Sequence, residues 1–282
     1  MAPPTARSDE LRVLAQRVAD ALPPEVAEEV VLTGSTSRGV ADELSDVEML
    51  VVSAELPGFH QCMAHARAAG LVQLDTWSRP GSRGWLIGGR VGDVSVELVW
   101  WSRAYAEERV AAILAGEIVD ARLQTAEALA HGLALRTVGL LADWQERLRD
   151  YPSELAAGMI EEAAQAWGGY QASALLTITR PGERLPLVEW LLDDASRVLR
   201  IVFALNRAWE PTHKRLPARV EPLAVKPPLL AIRIESALGE PDPRRALLGL
   251  AELAAETVAL APSGPYVDRA RTWLAELVGL LR

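Results

Sequence analysis

The 282-residue chain holds a single cysteine, Cys62, and only two lysines, Lys214 and Lys226, among its 29 basic side chains. One cysteine can neither close an internal disulfide nor furnish a cysteine zinc site, which removes disulfide-stapled secreted scaffolds and zinc fingers. No stretch of about 18 uncharged apolar residues occurs, so no membrane-spanning helix is expected. The opening MAPPTARSDE lacks the basic region and apolar core of a signal peptide. Cytoplasm is the expected compartment. Basic charge is also short, with 29 Lys and Arg against 38 Asp and Glu and a net charge of -9. A chain that grips DNA or RNA through phosphate neutralisation normally needs a basic face, so small or cationic molecules are the better partners. The Ala-, Leu- and Arg-rich usage is that of a GC-rich genome, which makes an arginine weakly informative and a retained lysine rather more so.

What is present is apolar bulk: half the residues are hydrophobic (50%), enough for one large domain or two small ones. From Ser8 to Leu22 the residues Leu11, Leu14, Val18 and Leu22 recur at helical spacing before Pro23-Pro24. Short β-branched runs follow at 30–33, 47–52, 71–77, 84–87 and 91–101, with a helix over 59–69 closed by Gly70. After Tyr105 the strand pattern stops, and helices are expected over 104–115, 120–149, 153–177, 186–210, 225–238, 242–261 and 265–281. Prolines, Pro181 and Pro211 among them, fall between or at the first turns of these segments. The reading is an α+β chain, with a small mixed sheet in residues 1–116 and a helical bundle in 117–282.

The chemistry concentrates in the string from Val31 to Val52: a strand, then Gly34-Ser35, a turn containing Gly39, and a second strand that opens with Asp46 and Glu48. Alternate residues of a strand share a face, so these two carboxylates project together. Adjacent carboxylates repel unless a cation or proton lies between them. Oxygen ligands in that arrangement suit Mg²⁺, which binds through one or two carboxylates plus waters and substrate phosphates. Glu97, alone among Val94, Val96, Leu98 and Val99, faces solvent or faces a metal, because burying an isolated charge is costly. Gly34 permits close approach of an anion to the backbone, and the Ser35 hydroxyl is a donor for a phosphate oxygen. Arg38, in the same turn, is a candidate contact for a triphosphate. Asp93 follows Gly92 and reads as a turn residue, and no histidine is assigned a role. The nine tryptophans, Trp77, Trp85 and Trp101 included, read mainly as packing residues. A serine-hydrolase elbow and a Walker loop are both absent, since neither G-x-S-x-G nor Gly-Lys-Ser/Thr occurs here.

Gly34-Ser35, then Asp46-Val47-Glu48, then Glu97 among apolar neighbours resembles the signature of the DNA polymerase β-type nucleotidyltransferase superfamily. The stretch from Gly34 to Glu48, with Gly39 and Ser45, is similar to that of the aminoglycoside (streptomycin/spectinomycin) adenylyltransferases, which also carry a helical C-terminal domain. Glu48 departs from the pattern, since many relatives have aspartate there. A later string, from Phe203 to Leu216, resembles a segment in the helical half of bacterial nucleotidyltransferase-like proteins where a lysine, here Lys214, faces the triphosphate.

The resemblance implies transfer of a nucleoside monophosphate, AMP from ATP in the simplest case, to a hydroxyl of a small molecule such as an aminoglycoside-like antibiotic, with release of pyrophosphate. It implies one or two Mg²⁺ ions on Asp46, Glu48 and Glu97, with Glu97 also the candidate base. Gly34, Ser35, Ser45, Arg38 and Lys214 are then the nucleotide contacts. Two other outcomes stay open: a tRNA or protein acceptor, for which Arg197, Arg200 and Arg207 would supply a local basic patch, and a non-catalytic nucleotide-binding module.

Overall fold

The computed structural model describes residues 3–76, 78, 81–118, 120–167, 178–180 and 182–282. By packing, the chain divides into two units: Met1–Leu114 with Thr125–Asp150, and Ala115–Gln124 with Tyr151–Arg282. Its class is α+β. Among the described residues no helix is long and apolar enough to cross a membrane.

The first unit is built on a six-stranded mixed sheet. Helix α1 (Ala6–Ala21) starts where the Thr5 hydroxyl accepts the Ser8 amide, and it buries Leu11, Leu14, Ala15 and Val18. Then come β1 (Glu29–Thr33), the single turn α2 (Gly34–Ser37), β2 (Val47–Ser53), α3 (Phe59–Ala68), β3 (Val72–Thr76), β4 (Gly84–Val91) and β5 (Val94–Ser102). The strand order is β3-β4-β5-β2-β1 with a sixth strand, β6 (Leu133–Arg136), beyond β1. Strands β2 and β5 run parallel, and their neighbours pair antiparallel. Gly92-Asp93 closes the β4-β5 hairpin, Gly92 taking the positive φ (64°) that so tight a turn demands, so Asp93 is a turn residue as read. Trp77, expected at the end of the third strand, lies outside the described residues.

One face of the sheet is apolar: Val30, Leu32, Met49, Val51, Val96, Leu98 and Trp100 pack in a core with α1 and α3. Strand alternation sends Glu29, Val31, Thr33, Glu48 and Glu97 to the other face. There the carboxylate of Glu29, which has no exposed surface, accepts the Thr137 hydroxyl (2.8 Å) and the backbone N–H groups of Val138 (2.8 Å), Leu140 (3.3 Å) and Leu141 (3.1 Å). It thus caps the start of α6 (Leu140–Leu148).

The segment 120–149, expected as one helix, is α5 (Asp120–Ala130), β6 and α6. Leu133-Ala-Leu-Arg136 has no strong strand propensity, and its pairing with β1 decides its form. Because β6 and the Glu29 cap bind Thr125–Asp150 to the sheet, the packing units differ from the division 1–116 and 117–282. Helix α4 (Arg103–Leu114) follows β5 as expected.

The second unit is helical: α7 (Ser153–Gln165), α8 (Arg184–Leu205), the short α9 (Leu216–Val220), α10 (Leu230–Gly239), α11 (Pro243–Leu260) and α12 (Pro265–Leu281). Their apolar faces share one core, with Met159, Leu191, Val198, Val202, Leu250, Leu253 and Leu274 fully or nearly buried. Residues 168–177 of the helix expected over 153–177, and Pro181, lie outside the described residues. The helix expected over 186–210 stops at Leu205, where Arg207 turns left-handed (φ 49°). Helix α9 was not expected.

Candidate active site

In the parallel register of β2 and β5, Glu48 lies directly beside Glu97. Both are half-buried, and each sits between residues of the apolar core, so both project from the opposite face. In the antiparallel register Glu48 also faces Thr33, and Glu97 faces Gly88. The row Thr33, Glu48, Glu97 thus runs across three strands on one face.

Asp46 is the residue before β2 rather than its first member. Its carbonyl accepts the Thr36 hydroxyl at 2.9 Å, which ties the entry of β2 to α2. Further bonds hold that turn: Ser37 Oγ donates to the Gly34 carbonyl (3.0 Å), and Arg12 donates to the carbonyls of Thr36 (3.1 Å) and Ser37 (2.8 Å). Gly34 opens α2 with φ 72°, a conformation L side chains rarely adopt. A Cβ built there would come within 1.8 Å of Glu48 Oε2. The glycine thus serves twice, for its φ and for the Glu48 carboxylate seated against it. Ser35 follows in α2, half-buried.

Two of the expected phosphate contacts are engaged elsewhere. The Ser45 hydroxyl donates to Asp42 Oδ1 (2.9 Å) and accepts the Asp42 amide (2.9 Å), the closed hydrogen-bonding of a turn. Arg38 donates to both oxygens of Glu127 at 3.2 Å, a carboxylate on α5 that is 6% exposed. Buried carboxylates need such a partner. Lys214 belongs to the second unit, exposed in the turn ahead of α9. Arg197 and Arg200, two of the three arginines expected as a local basic patch, are ion-paired. Arg197 is paired with Asp194 (2.7 Å), and Arg200 with Glu162 and Glu210 (both 3.3 Å).

Among the described residues no group of three or more Asp, Glu, His or Cys side chains is gathered closely enough to hold a metal ion. The Glu48 carboxylate lies against Gly34. In register terms Glu48 and Glu97 are neighbours, and Mg²⁺ takes only one or two carboxylates and completes its shell with water and phosphate oxygens.

Sequence reasoning did not single out Glu29 or Glu127. An acid opening an otherwise apolar strand, Glu29-Val-Val-Leu, was the available signal for the first. Nothing in the sequence marks Glu127 as the partner of Arg38.

No protein-family model and no curated protein matches the chain. Among solved structures it is similar to a nucleotidyltransferase-like protein from Exiguobacterium sibiricum 255-15, at 12% identity over 98% of this chain and 75% of that one, with a TM-score of 0.37. A likeness of that order carries no inference about activity.

Proposed function

We propose that the chain is a Mg²⁺-dependent nucleotidyltransferase that moves a nucleoside monophosphate, AMP from ATP in the simplest case, to a hydroxyl of a small-molecule acceptor. The observation that carries this reading is the lateral pairing of Glu48 with Glu97, next to the left-handed Gly34 turn against which the Glu48 carboxylate lies. Neighbouring carboxylates repel, and a bound cation offsets that repulsion. Oxygen donors on rigid strands also hold their positions better than donors on loops.

In the proposed reaction the acceptor oxygen attacks the α-phosphorus as the bond from that phosphorus to the β-bridging oxygen breaks, and pyrophosphate departs. Glu97 takes the acceptor's proton, which requires it within hydrogen-bond reach of that hydroxyl. Glu48 and Glu97, with Asp46 ahead of β2, would hold the cation only together with phosphate oxygens and water, and Gly34 and Ser35 would meet the phosphates. When bound, Mg²⁺ neutralises charge on the phosphate oxygens. The assay is pyrophosphate release with each NTP, Mg²⁺ and a panel of amino-sugar, nucleoside and tRNA acceptors. Turnover that disappears in Asp46→Asn supports the reading; unchanged turnover in that variant rejects the metal assignment.

A second reading, a nucleotide-binding module without catalysis, draws on one observation: the three carboxylates are not gathered as a metal group. It predicts saturable ATP binding with no pyrophosphate formed under any acceptor.

A further inference from the structure

Thr5, which caps α1, and Ser8 and Arg12 within it recur at spacings of three and four, so the three share one face of the helix. Ser8 has no exposed surface, and the Arg12 side chain is 25% exposed. Polar groups withdrawn from water need hydrogen-bond partners. This stripe finds them in one place, the end of α2 and the loop that follows it.

The Thr5 amide donates to the Gly39 carbonyl (3.1 Å) and the Thr5 hydroxyl to the Ala41 carbonyl (2.8 Å), while the Ser8 hydroxyl accepts the Ala41 amide (2.9 Å). The Arg12 guanidinium donates through Nε to the Thr36 carbonyl (3.1 Å) and through Nη2 to the Ser37 carbonyl (2.8 Å). Its contact with Asp9, from Nη1 to Oδ1, is longer at 3.4 Å. Gly39 seats the loop against the start of the chain: a Cβ there would lie 3.2 Å from Pro4 Cα and 3.4 Å from Arg12 Nη2.

With Arg12 in place, each of the four carbonyls of α2 accepts a hydrogen bond. Ser37 Oγ donates to Gly34, the Val40 amide to Ser35 (3.1 Å), the Gly39 amide (3.3 Å) and Arg12 Nε to Thr36, and Arg12 Nη2 to Ser37. The two residues whose carbonyls Arg12 holds reach both sides of the candidate site. Ser37 bonds back to Gly34, and the Thr36 hydroxyl bonds forward to the Asp46 carbonyl (2.9 Å). A planar guanidinium presents two N–H groups at a fixed spacing, so it sets the relative position of two carbonyls as a rotating ammonium does not. Displacing a binding group by about 1 Å can cost about a hundredfold in rate, so a residue can matter to the reaction without touching the substrate.

We propose that Arg12 is a positioning residue for the triphosphate: through Thr36 and Ser37 it holds Gly34 and Ser35 in place relative to Asp46 and Glu48. The inference rests on the nucleotidyl reading.

The test compares the wild-type chain with Arg12→Lys by three measurements: calorimetric titration with ATP and Mg²⁺, urea denaturation, and amide hydrogen exchange without nucleotide. Arg12→Lys keeps the charge and loses the fork. It should keep the wild-type urea midpoint and bind ATP about tenfold more weakly or worse. The amides of Gly39, Val40 and Ala41, which bond within this loop and to Ser8, should exchange faster while those of α1 stay protected. If the wild-type chain binds no ATP, the nucleotidyl reading fails and this inference fails with it. If the wild type binds ATP, three results overturn this inference alone and leave that reading standing: equal affinity in Arg12→Lys, unchanged exchange over 39–41, or a loss of affinity that merely follows a fall in the urea midpoint.

Discussion

The Glu48 carboxylate occupies the space in which a side chain at Gly34 would begin, its Oε2 lying 1.8 Å from the Cβ that any other residue would carry. The α2 turn and β2 are therefore packed together through residues fourteen positions apart, Gly34 and Glu48.

Gly34→Ala is expected to expel the Glu48 carboxylate and to force an L side chain into φ 72°. The conformational strain alone costs about 1–3 kcal/mol. Urea denaturation of the variant should show that loss, and any nucleotide-dependent activity should fall far more than stability does. A variant with wild-type stability and activity contradicts the placement of Glu48.

Glu29→Ala removes the acceptor for three backbone N–H groups and the Thr137 hydroxyl at a site with no exposed surface. Donors left unpaired in a buried site cost about 1–3 kcal/mol each when unrelieved, so a loss of about 3 kcal/mol or more in denaturant midpoint analysis is expected. Hydrogen exchange should localise the damage to the start of α6 and to β6. Uniform protection in the variant would show that the cap is dispensable.

Arg38→Ala leaves Glu127, 6% exposed, without its guanidinium. Removing one member of a buried pair costs about 3–5 kcal/mol, and the partial exposure of Arg38 lowers that to about 2 kcal/mol. Arg38→Ala should therefore lose stability before it loses nucleotide affinity. Comparison of thermal melts with ATP titrations separates the two, and an affinity loss in a variant of undiminished stability would restore Arg38 to the triphosphate.

How far the sequence discloses this architecture varies by element. Strand alternation around Glu48 and Glu97 was readable because their neighbours Val47, Met49, Val96 and Leu98 are apolar and belong to one core. β6 was not readable, since Leu133-Ala-Leu-Arg136 takes its form from β1 rather than from local propensity. The partners of Arg38 and Ser45 were invisible for a similar reason: Glu127 lies 89 positions from Arg38, and the Asp42 turn competes with any phosphate for the Ser45 hydroxyl.

Burial pushes the Cys62 thiol up from an ordinary 9.0 to about 12. The folded chain holds that proton more tightly than the unfolded chain, so this group favours folding below pH 9 and the advantage drains away as pH rises from 9 towards 12. Burial also raises Tyr151, which acts in the same alkaline direction. Stability measured by urea should decline with pH above 9, and Cys62→Ala should flatten part of that slope. In the native state Cys62 should resist thiol reagents at neutral pH and react only as the chain opens; rapid modification of the folded chain would contradict its burial.

The most direct measurement is electron paramagnetic resonance of Mn²⁺, standing in for Mg²⁺, titrated into the chain with a non-hydrolysable ATP analogue. The account predicts one ion bound tightly only when the nucleotide is present, with affinity lost at least tenfold in both Glu48→Gln and Glu97→Gln. Absence of a bound ion in the wild type, or undiminished binding in the two variants, would contradict it.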